Sequence, residues 1–127
     1  MNRAGVIGLG DMGSGLAKNL IQQKFETTGF DLDQQRIEAF AAMGGCPAQN
    51  AAEVGRNADI VFVMVMTGGQ AKSALFGDGN NGLVSQMTSG STVILTATIK
   101  PSEAREIGEL MQGTDVNLID SPVSGGF

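Results

Sequence analysis

Short apolar runs alternate with amphipathic stretches along the chain. The runs lie at 4–7, 60–65, 92–96 and 116–120, and a further run ends at Phe30. A run that is apolar at every position is typical of a strand covered on both faces, whereas the stretches between the runs carry apolar residues at helical spacing. The alternation predicts an α/β fold with a doubly wound, mostly parallel sheet and helices on both faces.

The predicted helices carry recognisable start and stop signals. Gly44-Gly45 ends the second helix, because glycine readily takes the left-handed conformation. Asn50 and Glu53 resemble a capping box that begins a short helix, and the last helix runs from Pro101 to Gly113. The inward faces predicted from spacing are Met12, Leu16 and Leu20 for the first helix, Ile37, Phe40 and Ala41 for the second (34–43), and Ala104, Ile107 and Met111 for the last.

A glycine-rich loop follows the first apolar run and leads into the first helix. Its residues are Gly8, Leu9, Gly10, Asp11, Met12 and Gly13. A GxGxxG pattern arises by chance in a chain with 19 glycines, but a preceding strand and a following helix make it a dinucleotide-binding fingerprint. The glycines allow a tight turn, approach of backbone N–H groups to a pyrophosphate, and close packing of helix on strand. The loop therefore predicts a Rossmann-type site with phosphates at the helix N-terminus.

An acidic residue lies where such a site needs one. Asp31 follows the second apolar run, about 18 residues after Gly13, and its carboxylate can accept hydrogen bonds from both adenosine ribose hydroxyls. It would repel a 2′-phosphate, and its neighbour is Leu32 rather than Arg, so the sequence predicts NAD over NADP. Asp31 can instead be a turn residue, and Asp33 is predicted to cap the next helix. Arg36 can approach the adenosine or lie in solvent as an ordinary helix residue.

Composition limits the other possibilities. A chain of 127 residues with 42% hydrophobic content suits one globular domain. It has no histidine, which excludes a His base, a Ser-His nucleophile and a His-bearing metal site. The net charge of −5, without Tyr or Trp, argues against a nucleic-acid partner. The single Cys46, expected in the core or a turn, and the lack of an apolar leader or span predict a cytoplasmic protein without a membrane partner.

Three motifs in this order resemble the β-hydroxyacid dehydrogenase family, of which 3-hydroxyisobutyrate dehydrogenase is a member, over all 127 residues. They are Gly8 to Gly13 with Ala17, Asn19 and Leu20, then Thr98-Ile99-x-Pro101, then Asp120-Ser121-Pro122-Val123-Ser124-Gly125-Gly126. Two segments, 67–70 and 96–101, are most similar to the L-threonate dehydrogenase branch. Three ordered motifs are far more specific than one glycine loop.

The resemblance implies further site residues. Val65 and Met66 would contact the cofactor through their backbone, and Thr98 would lie near the nicotinamide ribose. Met66 stands where the family has proline, so the loop regains an N–H group and loses a fixed φ. Ser124-Gly125-Gly126 would bind a substrate carboxylate through a hydroxyl and consecutive N–H groups. Read without the family, Thr98 leads into a helix, Met64 and Met66 are core filler, and Ser124-Gly125-Gly126 is a plain turn.

The function implied is hydride transfer between NAD and a small hydroxy acid, L-threonate or a related 2- or 3-hydroxy acid, in a homo-oligomer. The family's proton-transfer lysine and its helical second domain are expected beyond Phe127. Residues 1–127 are therefore expected to form an NAD-binding Rossmann domain, truncated at its C-terminal end, with no catalytic residue and no activity alone. A non-catalytic dinucleotide-binding or sensing module is the alternative.

Overall fold

The computed structural model describes residues 3–77, 81–97 and 99–121. Strands and helices alternate through these ranges. They are β1 (Arg3–Ile7), α1 (Asp11–Gln22), β2 (Glu26–Phe30), α2 (Gln34–Ala42), β3 (Cys46–Pro47), α3 (Ala51–Asn57), β4 (Ile60–Val63), α4 (Gly68–Phe76), a 3-10 turn (Val84–Gln86), β5 (Thr92–Leu95), α5 (Pro101–Met111) and β6 (Asn117–Asp120).

The strands form one sheet in the order β3-β2-β1-β4-β5-β6, and every pairing is parallel. At the centre, Gly5 of β1 pairs with Thr28 of β2 on one side and with Val61 of β4 on the other. The chain therefore builds outward from β1 to one edge and then returns to build toward the other. This is the strand order of a Rossmann fold, as predicted, and its switch point lies between β1 and β4.

The two faces of the sheet carry separate apolar clusters. Val6 and Ile7, neighbours on β1, belong to different apolar clusters, because successive side chains of a strand point to opposite faces. The larger cluster includes Val54 and Leu75, and the smaller one is centred on Phe40. The expectation of strands buried on both faces is only partly met: in the part of the chain that the structure describes, buried residues alternate with half-buried ones along β4 and β5, so these apolar runs are fully covered on one face only.

Two residues predicted to face inward do not. Met12 is 44% exposed and Ala41 is exposed, whereas the buried positions of α1 are Gly13 and Ala17. The reason is the close approach of α1 to the sheet: a Cβ on Gly13 would lie 1.8 Å from the carbonyl oxygen of Gly8. Only small residues fit on that face. Leu16 and Leu20 pack partly buried beside it.

The faces of the other helices are closer to prediction. Phe40, Ile107 and Met111 are buried, while Ile37 and Ala104 are half-buried. For α2, aliphatic spacing alone therefore indicated the correct side but too wide a buried stripe.

The predicted helix signals are confirmed with one difference. Asp33 caps α2 by accepting a hydrogen bond from the Gln35 N–H at 2.9 Å. Asn50 accepts from the Glu53 N–H at 2.9 Å, but the Glu53 carboxylate accepts from Gln49 rather than from Asn50, so the capping box is only half formed. The second and last helices end where predicted, because Gly44 and Gly113 have φ values of 104° and 83°.

Cys46 was expected in the core or a turn and is instead exposed, in the two-residue strand β3. It pairs with Thr28 at an edge of the sheet, in a strand that the hydrophobic pattern did not reveal. Strand β4 ends at Val63, two residues before the end of its apolar run. Among the residues placed in the structure, no helix is long and apolar enough to cross a membrane.

Candidate functional site

A cleft of about 1130 Å³ opens at the carboxyl-terminal edge of the sheet, where the chain leaves β1, β2 and β4. It brings together most of the residues predicted to bind a cofactor, namely Gly8, Gly10, Asp11, Met12, Gly13, Asp31, Val65 and Met66. Leu9 does not line the cleft, because its side chain is buried beneath the loop in the smaller apolar cluster. Thr98 and Ser124-Gly125-Gly126 lie outside the described residues. The cleft coincides with the switch point of the sheet, where open α/β folds bind ligands.

The three glycines of the loop meet different surroundings. Gly8 has φ 94°, and a Cβ there would lie 2.1 Å from the carbonyl oxygen of Met64. Gly13 is equally enclosed by the backbone of Gly8. A Cβ on Gly10 would meet nothing closer than the Arg36 guanidinium, at 3.8 Å. The protein therefore needs glycine at positions 8 and 13 for its own packing, whereas the missing side chain of Gly10 only keeps the cleft open.

The N-terminus of α1 faces this open space. Gly10 is the N-cap residue and has no side chain to cap the helix, while its carbonyl accepts the first helical hydrogen bond, from the Ser14 N–H at 2.7 Å. Asp11, Met12 and Gly13 form the first turn and line the cleft. A helix start with a bare N-cap presents N–H groups and a partial positive charge to an anion. The structure therefore fits a dinucleotide pyrophosphate at this place.

Asp31 is held rigidly at the end of β2. One carboxylate oxygen accepts from the Leu9 N–H at 2.7 Å, and the other accepts from the Asp33 N–H at 2.8 Å. The side chain is only 10% exposed. The turn interaction that the sequence allowed is thus present, and the carboxylate also borders the cleft, where its role as a ribose ligand stays a prediction.

Arg36 lines the cleft beside Asp31. Its Nη1 lies 3.6 Å from Asp31 Oδ2, and its Nε lies 3.9 Å from Asp33 Oδ2. The side chain is 53% exposed. It is half in solvent, as one alternative expected, and it also borders the cleft, where its approach to the adenosine stays a prediction.

The loop after β4 is fixed by a residue that the sequence analysis did not single out. The Gln70 side-chain oxygen accepts from the Met66 N–H at 2.9 Å and from the Thr67 N–H at 3.1 Å. In return, the Thr67 hydroxyl accepts from the Gln70 N–H at 3.1 Å, which completes a capping box on α4. The N–H group that a proline would lack is therefore used. The pattern Thr-x-x-Gln is a readable capping signal and would have predicted it.

The two methionines of this loop differ. Met66 is 82% exposed and lines the cleft, so its interpretation as core filler is wrong. Met64 is half-buried against the smaller apolar cluster, and its sulfur accepts from the Thr96 hydroxyl at 3.4 Å. Thr96 also donates to the Val63 carbonyl and lines the cleft, a place that the sequence analysis did not foresee.

Comparison with known proteins identifies the family. The sequence pattern described as the NAD binding domain of 6-phosphogluconate dehydrogenase matches residues 3–127. The chain belongs to this family. Membership makes it an NAD-binding domain and agrees with the resemblance to β-hydroxyacid dehydrogenases found in its motifs.

Relatives of this NAD-binding domain support the same conclusion. L-threonate dehydrogenase of Cupriavidus necator is 38% identical over 122 residues, which are 96% of this chain and 40% of that protein. The structure of 3-hydroxyisobutyrate dehydrogenase from Salmonella typhimurium is 32% identical and superposes with a TM-score of 0.87, over 99% of this chain and 43% of that one. The Mycobacterium tuberculosis 3-hydroxyisobutyrate dehydrogenase, described with L-serine, is 28% identical with a TM-score of 0.87, over 99% and 42%. The chain thus spans about two fifths of the length of the relatives it matches.

Proposed function

We propose that the cleft binds NAD with its pyrophosphate over Gly10 and the N-terminus of α1. The observation that carries this proposal is the open space above Gly10. The packing of the fold does not require a glycine at this position. The adenosine ribose hydroxyls bind the Asp31 carboxylate, and the nicotinamide half extends along Val65 and Met66 toward Thr98. The backbone N–H groups of the loop can donate hydrogen bonds to phosphate oxygens. The fixed carboxylate can accept hydrogen bonds from ribose hydroxyls.

We further propose that the whole enzyme oxidises a small hydroxy acid, L-threonate or a related 2- or 3-hydroxy acid. Bound NAD supplies the hydride acceptor. Ser124-Gly125-Gly126 bind the substrate carboxylate in this proposal. The L-threonate and 3-hydroxyisobutyrate dehydrogenases that the chain resembles support a short hydroxy acid as the substrate class.

The proton acceptor is assigned to the part of the enzyme beyond residue 127. The chain has no histidine, and the Lys72 ammonium pairs with Glu106 across α4 and α5 rather than lining the cleft. Without an acceptor for the hydroxyl proton, a bound alcohol cannot be oxidised efficiently. Residues 1–127 are therefore proposed to be the NAD-binding domain of the enzyme, inactive alone.

The test compares the chain with the whole enzyme. NAD binding is measured by titration, and turnover is measured as NADH absorbance with a panel of three- and four-carbon hydroxy acids. The expected result is NAD binding by both, turnover only by the whole enzyme, and a raised KM for the acid, with unchanged NAD affinity, in Ser124→Ala of the whole enzyme. Failure of the chain to bind NAD would overturn the proposal.

Two other outcomes would contradict part of the proposed function. Robust turnover by residues 1–127 would place the proton acceptor inside the chain. A whole protein that binds NAD but oxidises no acid would favour a dinucleotide-binding or sensing module.

The location and assembly of the whole enzyme complete the proposal. A single cysteine in 127 residues agrees with a reducing compartment, and we propose a cytoplasmic enzyme on that ground. A homo-oligomer is proposed from the family resemblance, and sedimentation of the whole enzyme measures it.

A further inference from the structure

The two loops that border the proposed nicotinamide half of the site lead into neighbouring helices. One follows β4 and enters α4 at Gly68, and the other follows β5 and enters α5 at Pro101. The proposed site places the nicotinamide half along Val65 and Met66 of the first loop, toward Thr98 of the second. The spacing of the two loops therefore depends on how the first turns of α4 and α5 are held to each other.

The carboxylate of Glu103 contacts the first turn of both helices. Its Oε1 accepts a hydrogen bond from the Lys100 N–H at 3.0 Å, at the start of α5. The same carboxylate lies against Gly68 of α4, where a Cβ would be 2.4 Å from Oε1 and 2.8 Å from Oε2. Gly68 is buried and Glu103 is half-buried, so solvent reaches this contact only in part. Both helix starts carry partial positive charge, which favours a carboxylate between them.

The glycine at position 68 gives this carboxylate its place. Gly68 lies in a helix and is not among the glycines with positive φ, so its backbone conformation does not require glycine. A Cβ there would push away the end of a flexible side chain, that of Glu103, rather than meet backbone. A second contact between the helices, the ion pair of Lys72 with Glu106, lies about one turn further into each of them. The helix starts are therefore held by Glu103 and the next turns by the ion pair.

We propose that Glu103 is a positioning residue for the nicotinamide half of bound NAD. It fixes the loop after β4 against the loop after β5, so the residues proposed to contact the nicotinamide half keep their spacing. Glu103 acts through these loops, since it is not among the described residues that line the cleft. Loops that already hold the bound arrangement lose less entropy when the ligand binds. This inference rests on the proposed function and adds a residue outside the cleft that shapes the site.

The test uses two ligands that differ by the nicotinamide ring. ADP-ribose has the adenosine, the pyrophosphate and the second ribose of NAD but no nicotinamide. Dissociation constants for NAD and ADP-ribose are measured for the 127-residue chain and for Glu103→Ala, Glu103→Gln and Gly68→Ala, with circular dichroism as a check on folding. Glu106→Ala is the matched control, because it removes a carboxylate from the same helix and breaks the other contact to α4, the ion pair with Lys72.

The expected result is specific to one contact and one ligand. Glu103→Ala should weaken NAD about three- to tenfold and leave ADP-ribose within about twofold, because only the nicotinamide half loses its ordered loops. Gly68→Ala should do the same, since its methyl group displaces the carboxylate while alanine keeps α4 helical. The double variant should bind NAD no more weakly than Glu103→Ala, because both changes remove one contact. Glu103→Gln should stay near the parent, since its amide oxygen still accepts from Lys100, and Glu106→Ala should change neither ligand.

Three results would overturn the inference. Equal weakening of NAD and ADP-ribose by Glu103→Ala would mean that Glu103 supports the whole domain. Unchanged NAD affinity in Glu103→Ala or in Gly68→Ala would make the contact ordinary helix packing. A matching loss in Glu106→Ala would assign the effect to the packing of α4 on α5 in general. In each of these cases NAD still binds the parent chain, so the proposed function stands. If the parent bound neither ligand, the proposed function would fall together with the inference.

Discussion

The backbone N–H of Leu9 donates a 2.7 Å hydrogen bond to the carboxylate of Asp31, a residue 22 positions later in the chain. The bond joins the glycine loop after β1 to the end of β2. The same carboxylate also accepts from Asp33, so Asp31 stabilises the walls of the cleft as well as serving as the proposed ribose ligand. A substitution that tests the ligand role has to retain as much of this bonding as possible.

Asp31→Asn is the suitable change. The parent chain should bind NAD more tightly than NADP by at least about 1.4 kcal/mol, a factor of about ten. Asn keeps a carbonyl acceptor for the loop but loses the negative charge, so the gap between the cofactors should narrow. Asp31→Ala should narrow it too and also lower the free energy of unfolding by about 1–3 kcal/mol, because two N–H groups lose their acceptor. Equal affinities in the parent chain would show that Asp31 does not face the ribose.

Gly10→Val should abolish NAD binding while the domain stays folded. The new Cβ meets only the flexible end of Arg36, at 3.8 Å, and the rest of the side chain enters the space proposed for the pyrophosphate. Gly15→Val is the matched control, because it adds the same side chain to α1 at a position where a Cβ meets nothing within 4 Å apart from the helix itself. Circular dichroism and NAD titration of both variants separate folding from binding. Normal NAD affinity in a folded Gly10→Val protein would contradict the placement of the pyrophosphate.

Gly13→Ala, in contrast to Gly10→Val, should destabilise the fold. Its Cβ would lie 1.8 Å from the Gly8 carbonyl oxygen, so α1 has to move away from β1. Overpacking of this kind costs about 1–3 kcal/mol or more. Gly15→Ala, on the exposed side of the same helix, should instead gain up to about 1 kcal/mol from helix propensity. Urea unfolding of the two variants measures the difference in stability. Equal unfolding midpoints would show that α1 can move away from β1 without loss of stability.

Gln70→Ala should loosen the loop after β4. The change removes the acceptor of the Met66 and Thr67 N–H groups, at a cost of about 1 kcal/mol for an exposed cap. Hydrogen exchange at these two amides should accelerate, and NAD affinity should fall severalfold, because the loop borders the proposed nicotinamide half of the site. Gln70→Glu keeps an acceptor and should exchange slowly. Unchanged protection in Gln70→Ala would mean that the loop is held by other contacts.

The stability of the fold should depend weakly on acid pH through one ion pair. The Arg3 guanidinium donates to both carboxylate oxygens of Asp59, at 3.1 and 2.8 Å, and this hydrogen bonding lowers the pKa of Asp59 below its usual 3.8. A depressed pKa in the folded state means that the pair stabilises fully above the usual value and is lost as the pH falls through the lowered one. The effect is small, since the pair is partly exposed. Asp59→Asn should lower the unfolding midpoint at pH 7, and by progressively less as the pH falls below 3.8; a constant difference would contradict the assignment.

The features predicted from sequence are those set by local physics. The spacing of apolar residues indicated the order of strands and helices along the chain, because strands and helices place apolar side chains toward the core at different intervals. The loop from Gly8 to Gly13 was recognisable because Gly8 and Gly13 lie so close to neighbouring backbone that no other residue fits there. Asp33 and Asn50 were readable as caps because the side chain bonds its own backbone within three residues.

The features missed depend on contacts between distant segments. Met12 has the spacing of a core residue, but α1 packs so close to the sheet that only glycine and alanine fit beneath it. The edge strand at Cys46 has no apolar pattern and exists because Thr28 offers it a partner. Gln70 is the exception, since its capping pattern was local.

The all-parallel sheet determines at which stage of folding the domain becomes able to bind NAD. Parallel neighbours cannot be joined by a tight turn, so every strand pairing here links residues far apart in sequence, which slows folding. The Leu9–Asp31 bond needs β2 beside β1, and the bond from Met64 to Ile7 needs β4 on the other side. The cleft walls therefore appear only when the central three strands have docked. NADH fluorescence during refolding then follows the assembly of the sheet centre, later than the formation of any single helix.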